Sequence, residues 1–494
     1  MVSALLLMLP AHAPQPADVV VRPASVMVRR WEGFGCSLSW WGVYTSGWPE
    51  AARKEACRRL FGKGEDCLGW NVVRYNAGGT SPDADPKRFR PGGKVQVTLD
   101  ADGSFHPQRD AGQIACLREA KRLGADVFEL FVNSPPQWML RNGDTHGGDG
   151  AGENLKPECE SAFARWLADV ADHVERAAGI RFASIEPFNE PSAGWWRADN
   201  NGQEGCRILP PAQARVLKAL RTELDRRRSR TIIACSDENE PHTGLKTLDW
   251  LTGPAEGGLD PRMIGRLNVH GYSGWEAQER LRARCDELGI RRVWMSEFSG
   301  REWDGPAYAP YDMRCALPQT RSVVNDIKRL RPDAWVFWQA VEPLQFCVWY
   351  RYTYGLLQAA ADAPVEWSGK TYRTGEFIVS RAFWAMMQFS RFIRPGYRIV
   401  ETSDFWTLAA LSPDGKRLVL VTHNDEKAPR ALTFDLARWH RSTSSVRAWR
   451  TMDSADGVEW NCRAMPAPSV VDGRLTDNVP ARSVTTYVLT VAGR

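Results

Sequence analysis

At 494 residues, with 43% hydrophobic and 25% charged side chains, the chain has room for one large and one smaller folded unit, because single cores stop growing at roughly 250–300 residues. A net charge of +5 over that length is too slight to call for nucleic acid or an anionic membrane as partner, and no apolar run after the N-terminus approaches the ~20 residues of a membrane span. Eleven cysteines without a CxxC pair and eight scattered histidines argue against structural zinc, while 22 tryptophans supply an excess of flat amphipathic rings of the kind that stack on sugars.

The first residues, MVSALLLMLPAHA, form an apolar run ending in Ala11-x-Ala13, which predicts a signal peptide over 1–13 and a secreted or periplasmic mature protein, although no Lys or Arg precedes Arg22. Export would permit disulfides, for instance between Cys159 and Cys206, and the odd cysteine count leaves at least one thiol over. DVVVRPASVMVRR (18–30) reads as a strand ahead of the main unit. Eight short apolar runs follow: 33–40, 71–76, 126–133, 182–190, 231–238, 266–272, 291–299 and 334–342. Segments such as 49–62, 109–124, 159–179, 211–228 and 275–289 lie between them and carry apolar residues at three- and four-residue spacing, the pattern of amphipathic helices. Eight β/α units predict a (β/α)8 TIM barrel over 33–395, closed by a last helix over 377–395.

Beyond Pro395-Gly396 the texture changes. WTLAAL, RLVLVTHN, ALTFDL, SVRAWRT and SVTTYVL alternate in strand fashion between turns such as SPDGK and VDGR, which predicts an attached side β-sandwich over 396–494. Residues 18–32 are expected to pair with it and tie the two ends of the chain together.

In a barrel of this kind the reactive residues gather at the C-terminal ends of the strands. Two glutamates meet that condition: Glu190 in PFNEPSAGWW, ending the fourth strand, and Glu297 in WMSEFSG, ending the seventh. A pair of carboxyls across one pocket, one protonated and one ionised, is what glycosidic hydrolysis requires. Glu186 lies four residues deeper and is expected to be a buried structural acid, and Asp237, Glu238 and Glu240 crowd the fifth strand end. Polar and aromatic residues at other strand ends suit a sugar cleft: Arg74, Asn133, Trp138, Asn189, His270, Tyr272 and Trp338, with Trp195 and Trp196 as candidate subsite walls. Trp166, Trp250 and Trp384 fall in helical patterns and are expected in the core, and Cys36 is expected to pack rather than react.

Gly33-Phe34-Gly35, VVRYNAGG (72–79), NSPPQWM (133–139), PFNEPSAGWW (187–196), NVHGY (268–272), SEFSG (296–300), FWQ (337–339) and QFSRFIRPG (388–396) together resemble glycoside hydrolase family 30 over residues 18 to 494. With NNGQEGC (200–206), the likeness is greatest to the endo-β-1,6-galactanase branch; other branches act on glucosylceramide, β-1,6-glucan, xylan or fucosides. The resemblance implies a barrel with a side β-sandwich, with Glu190 as acid/base and Glu297 as nucleophile of a retaining double displacement. Glu297 is then expected to stay ionised through Arg74 and Tyr272. The pattern departs from the family at Cys36, where a glycine is common, and at Ala77. Neither a metal nor an organic cofactor is expected; the partner is a polysaccharide or oligosaccharide and the protein is expected to be a monomer. Competing readings are a glucosylceramidase or β-1,6-glucanase, and a carbohydrate-binding protein without turnover.

Overall fold

The computed structural model describes residues 18–150, 152–199, 202–300, 308–351, 354–439, 443 and 445–491; the expected signal peptide, 1–13, lies outside them. Strand β1 (Val19–Val28) precedes eight parallel strands that close into a barrel: β2 (Gly33–Ser37), β3 (Val72–Asn76), β4 (Val127–Phe131), β5 (Phe182–Glu186), β6 (Ile232–Glu238), β7 (Arg266–His270), β8 (Val293–Glu297) and β9 (Ala334–Gln339). Each is followed by a helix of the outer ring, including Glu50–Phe61, Ala111–Leu123, Glu160–Ala178, Pro210–Arg226, Pro241–Thr252, Gln278–Glu287 and Met313–Arg329. This is the expected TIM barrel.

Three segments differ from the sequence expectation, each for a local reason. The strand expected to run through Glu190 stops at Glu186, because Pro187 offers no N–H to the ladder and pairing with β6 covers only Ser184 and Ile185. The run 334–342 divides: β9 ends at Gln339, and Val341–Pro343 leaves the barrel to pair with Leu357–Ala359. The last helix spans only Arg381–Ser390, since Phe377–Val379 is drawn into that same small sheet. The Cys159–Cys206 disulfide is not formed, and all eleven cysteines are free.

The side domain is one ten-stranded, mostly antiparallel sheet that folds over on itself. β1 is its hinge, pairing antiparallel with Arg398–Thr402 on one wing and parallel with Arg430–Asp435 on the other, with bulges between Arg22 and Val28. Leu432, Phe434 and Leu475 from one wing meet Val400, Leu418, Leu420, Tyr487 and Leu489 from the other in a closed apolar core. Its outer face sits on the barrel helix Arg381–Ser390, where buried Gln388 donates to Thr451 Oγ1 at 2.9 Å and accepts from Thr486 Oγ1 at 2.6 Å. Among the described residues no helix is long and apolar enough to cross a membrane.

Candidate active site

The interior of the barrel is unusually polar, and that polarity fixes the rim. Arg74, fully buried on β3, donates from Nε to Glu129 Oε1 (2.8 Å), from Nη1 to the Ser296 carbonyl (3.0 Å) and from Nη2 to Asp237 Oδ2 (2.5 Å). Its guanidinium lies 4.2 Å over the Phe131 ring. Glu129 also accepts from Ser184 and Asn268 and pairs with Arg266. Opposite charges and hydrogen bonds within this network work against the several kcal/mol of desolvation that each buried ion costs, although Arg266 Nη1 lacks a partner among the described residues, and they leave little freedom in how β3, β6 and β8 meet.

Upon that floor stand two glutamates. Glu297 is the last residue of β8 and lies beside His270, the last residue of β7, in the strand register. Glu190 sits on the loop after β5 with a positive φ of 47°, a costly conformation for a residue with a side chain, held from both sides. Its N–H donates to the Asp237 carbonyl at 2.8 Å, and its own carbonyl accepts the Trp196 indole N–H at 2.9 Å. One ligand-type atom from each of Glu190, His270 and Glu297 lies within 4.8 Å of the other two, so the nearest oxygens of the two carboxylates face each other closely across the pocket, an approach compatible with a nucleophile and its acid/base.

His270 joins them. Its Nδ1 is 3.1 Å from Glu190 Oε1 and 3.5 Å from Glu297 Oε1, and its Nε2 is 3.3 Å from Asp237 Oδ2, an ion-pair approach rather than an aligned hydrogen bond. Burial by itself would strip the imidazole of its proton, but the charges of Glu297 and Asp237 outweigh it and bring its pKa up to about 10. Asp237 is likewise disfavoured by burial as an anion, yet Arg74, His270 and the Ser296 hydroxyl hold it well below the usual carboxylate range. For Glu186 the balance goes the other way: burial and the nearby Asp237 outweigh Arg74 and the Phe188 N–H and raise it well above a normal glutamate, so it stays neutral as a structural acid.

Glu297 departs from expectation. Tyr272 donates its hydroxyl to Oε1 at 2.8 Å, but Arg74 spends its hydrogen bonds elsewhere and comes only to 3.7 Å. Burial therefore dominates over His270, and the facing Glu190 adds to it, so the Glu297 carboxyl is pushed up to about 7.

The remaining candidates divide by position. Asn189 and Asn133 are buried at the loop starts, with Asn189 Oδ1 and both amide atoms of Asn133 lacking a hydrogen-bond partner among the described residues; Asn133 N–H bonds to Asn76 Oδ1 at 3.3 Å. Trp338 on β9 donates its backbone N–H to the Phe298 carbonyl beside Glu297. Trp138 is half-buried against the core, and no contact brings it to the carboxylates. The adjacent tryptophans part company: Trp195 is 44% exposed, whereas Trp196 is 2% exposed and wedged against Gly205. Trp196 thus holds the Glu190 loop and is no subsite wall, because its indole is committed to the Glu190 carbonyl.

Sequence reasoning undervalued Asp237, which organises Arg74, His270 and Ser296, although its place at a strand end was the signal. It missed Arg90, which arrives from the long segment after β3, and Glu204. The latter accepts from Thr80 Oγ1 (2.6 Å) and Gly79 N (3.0 Å), and burial lifts it to about 8. Glu190, His270 and Glu297 have the spacing of a three-ligand metal site, but an imidazole whose proton is held by two carboxylates is a poor ligand, and the trio suits proton sharing better.

Comparison with known proteins agrees with this geometry. Residues 21–245 match O-Glycosyl hydrolase family 30. The endo-β-1,6-galactanase of Hypocrea rufa is 31% identical over 442 residues, covering 85% of this chain and 84% of that one. Among solved structures, a conserved exported protein of Bacteroides fragilis superposes with a TM-score of 0.76 at 20% identity, covering 95% of this chain and 99% of that one. The catalytic domain of a family 30 xylanase C from Talaromyces cellulolyticus gives 0.68 at 19%, covering 96% and 100%. A barrel with two apposed rim glutamates, together with identity of this extent over most of both chains, makes the protein a glycoside hydrolase, and the chain belongs to glycoside hydrolase family 30.

Proposed function

We propose that this enzyme hydrolyses β-1,6-linked galactan within the chain, with retention of anomeric configuration. The observation that carries the mechanism is the approach of the Glu190 and Glu297 carboxylates at the rim. Glu297 attacks the anomeric carbon and forms a glycosyl ester as the glycosidic C–O bond breaks, and the leaving oxygen takes the proton of Glu190. Water then attacks the same carbon, Glu190 accepts its proton, and Glu297 leaves as a carboxylate. His270, cationic and 3.1 Å from Glu190, stabilises that side chain when it carries charge between the two steps, and Tyr272 steadies Glu297.

The substrate assignment is supported by the likeness to the Hypocrea rufa endo-β-1,6-galactanase. Trp195, exposed shortly after the acid/base, offers a ring to the sugar on the leaving-group side, and the unpaired amide of Asn133 and Oδ1 of Asn189 offer hydrogen bonds to hydroxyls. Residues 33–395 carry the chemistry, residues 18–32 and 396–494 form the supporting side domain, and 1–13 direct export. Product release from β-1,6-galactan, β-1,6-glucan, xylan and glucosylceramide, with the anomeric proton of fresh product followed by NMR, tests the reading. Galactan should be the fastest and its first product the β-anomer. A first-formed α-anomer overturns the mechanism, and a faster glucan or glucosylceramide overturns the substrate alone.

A further inference from the structure

The mouth of the barrel carries a second aromatic surface. After β9 the chain forms a short helix, Leu344–Tyr350, rooted by buried Leu344 and Cys347. Phe346, Trp349 and Tyr350 stand at positions i, i+3 and i+4, which a helix places on one face. Their ring centroids are 6.1 Å apart for Phe346 and Trp349 and 5.8 Å for Phe346 and Tyr350. Trp349 is 69% exposed and Tyr350 59%, far more than rings of that size ordinarily show.

A chain of packed contacts, running through buried Trp40, joins this surface to the rim beside Glu297. The Trp338 N–H meets the Phe298 carbonyl next to Glu297, and the Trp338 ring meets Trp40 edge-on at 4.9 Å. Arg90 lies 4.3 Å over Trp40 and 5.5 Å over Phe346, its guanidinium paired with buried Glu342, which Gln339 also contacts. A backbone hydrogen bond, the Trp338 and Trp40 rings and one neutralised cation thus link the strand end that carries Glu297 to the helix. Around the eight-stranded ring Glu190 follows the fourth strand and this helix the eighth, so the two lie on opposite sides of the mouth. Glu190 serves the leaving group; the helix therefore lies on the side of the sugar that is retained.

We propose that Phe346, Trp349 and Tyr350 form a platform for galactosyl residues remote from the scissile bond on the retained side, so that the enzyme grips a polymer rather than a chain end. The inference rests on the galactan reading. A neutral sugar chain is the occupant because the patch joins the catalytic mouth through Trp338, Trp40 and Arg90 and its embedded Arg90–Glu342 pair carries no net charge. Each pyranose sets its C–H face on a ring while its hydroxyls reach solvent.

The test compares long β-1,6-galactan with an aryl β-1,6-galactobioside, which extends only one residue past the cleaved sugar. Trp349→Ala, and Trp349→Ala combined with Tyr350→Ala, should raise KM for the polymer about tenfold and leave kcat/KM for the short substrate within about twofold. Trp349→Phe should restore most of the polymer KM. Equal loss on both substrates, no loss on the polymer, or a variant that instead changes the sedimenting mass of the protein overturns the platform. If the parent enzyme ignores galactan and cleaves another β-glycan, the galactan reading fails separately. The same comparison on that glycan and its aryl disaccharide then decides the platform, a polymer-selective defect upholding it and its absence overturning it.

Discussion

Replacing Tyr272 by Phe removes one oxygen and tests how Glu297 is kept ready for attack. The hydroxyl donates to Glu297 Oε1 at 2.8 Å, and the other cations near that carboxylate, His270 and Arg74, stand off at 3.5 Å and 3.7 Å. A hydrogen bond to a buried charge contributes about 1.5–3 kcal/mol. At 1.36 kcal/mol per unit, its loss raises the Glu297 carboxyl by roughly 1–2 pH units above its starting value. The sign follows from the chemistry: the hydroxyl favours the carboxylate, the nucleophile must be ionised, and activity therefore grows as pH rises through the Glu297 pKa. The enzyme should show an acidic limb in kcat/KM near pH 7, where burial has placed Glu297. In Tyr272→Phe that limb should move up by about 1–2 units, with a loss of about 10–100-fold at pH 6 and substantial recovery above pH 9. The profile is best measured on an aryl glycoside whose leaving group needs no proton, so that only the nucleophile is read. A uniform loss at every pH, with the acidic limb unmoved, would falsify the claim that Tyr272 acts through the charge of Glu297.

Glu297→Ala should abolish turnover of every substrate, whereas Glu190→Ala should still release an activated phenol in a burst and lose natural galactan, both visible in stopped-flow absorbance. The paired tryptophans should separate stability from binding. Trp196→Ala, which removes a buried ring and the hydrogen bond to the Glu190 carbonyl, should cost about 3–5 kcal/mol in urea unfolding, and Trp195→Ala less than about 0.5 kcal/mol while raising KM. Glu204→Gln probes the buried carboxyl under the loops. A carboxyl raised to about 8 when folded stabilises most below its unfolded pKa and loses that contribution as pH climbs toward 8, by up to about 1.4 kcal/mol per unit. The Gln variant should therefore gain on the parent between pH 5 and 8 in thermal unfolding, and a constant difference across that range would show that Glu204 is already ionised.

The barrel was legible because eight apolar runs alternate with helical spacing, and a strand buried on both faces can hardly be written otherwise. Glu297 was equally legible, since it closes its strand and a strand end in this fold is a place in the cleft. Glu190 is legible for a different reason than its place in the fold: the sequence reads as a strand ending at the glutamate, whereas Pro187 has already released the chain and the glutamate is carried on a loop pinned by Asp237 and Trp196. What local pattern does not encode is which of two neighbouring rings turns inward. Trp195 and Trp196 look alike in sequence, and only Gly205, whose missing Cβ would stand 2.0 Å from the Trp196 ring, decides between them. Arg90 was illegible for a related reason, because the long segment that delivers it has no periodicity and its partners, Trp40 and Glu342, are distant in sequence.

The pairing of β1 with the far end of the chain has a consequence for biosynthesis. Val20 bonds to Ser403, 383 residues later, and Val19 faces Phe434, so β1 has no partner in the side domain until most of the polypeptide has been made. The barrel can close on its own timetable while β1 waits as an unpaired, apolar ribbon, the kind of edge that captures neighbouring chains. A chain interrupted before residue 398 would hold both rim glutamates, Glu190 and Glu297, and yet leave that ribbon open. In such a protein the last strands act as a seal of completeness, and truncated copies should be lost to aggregation before they are lost to inactivity.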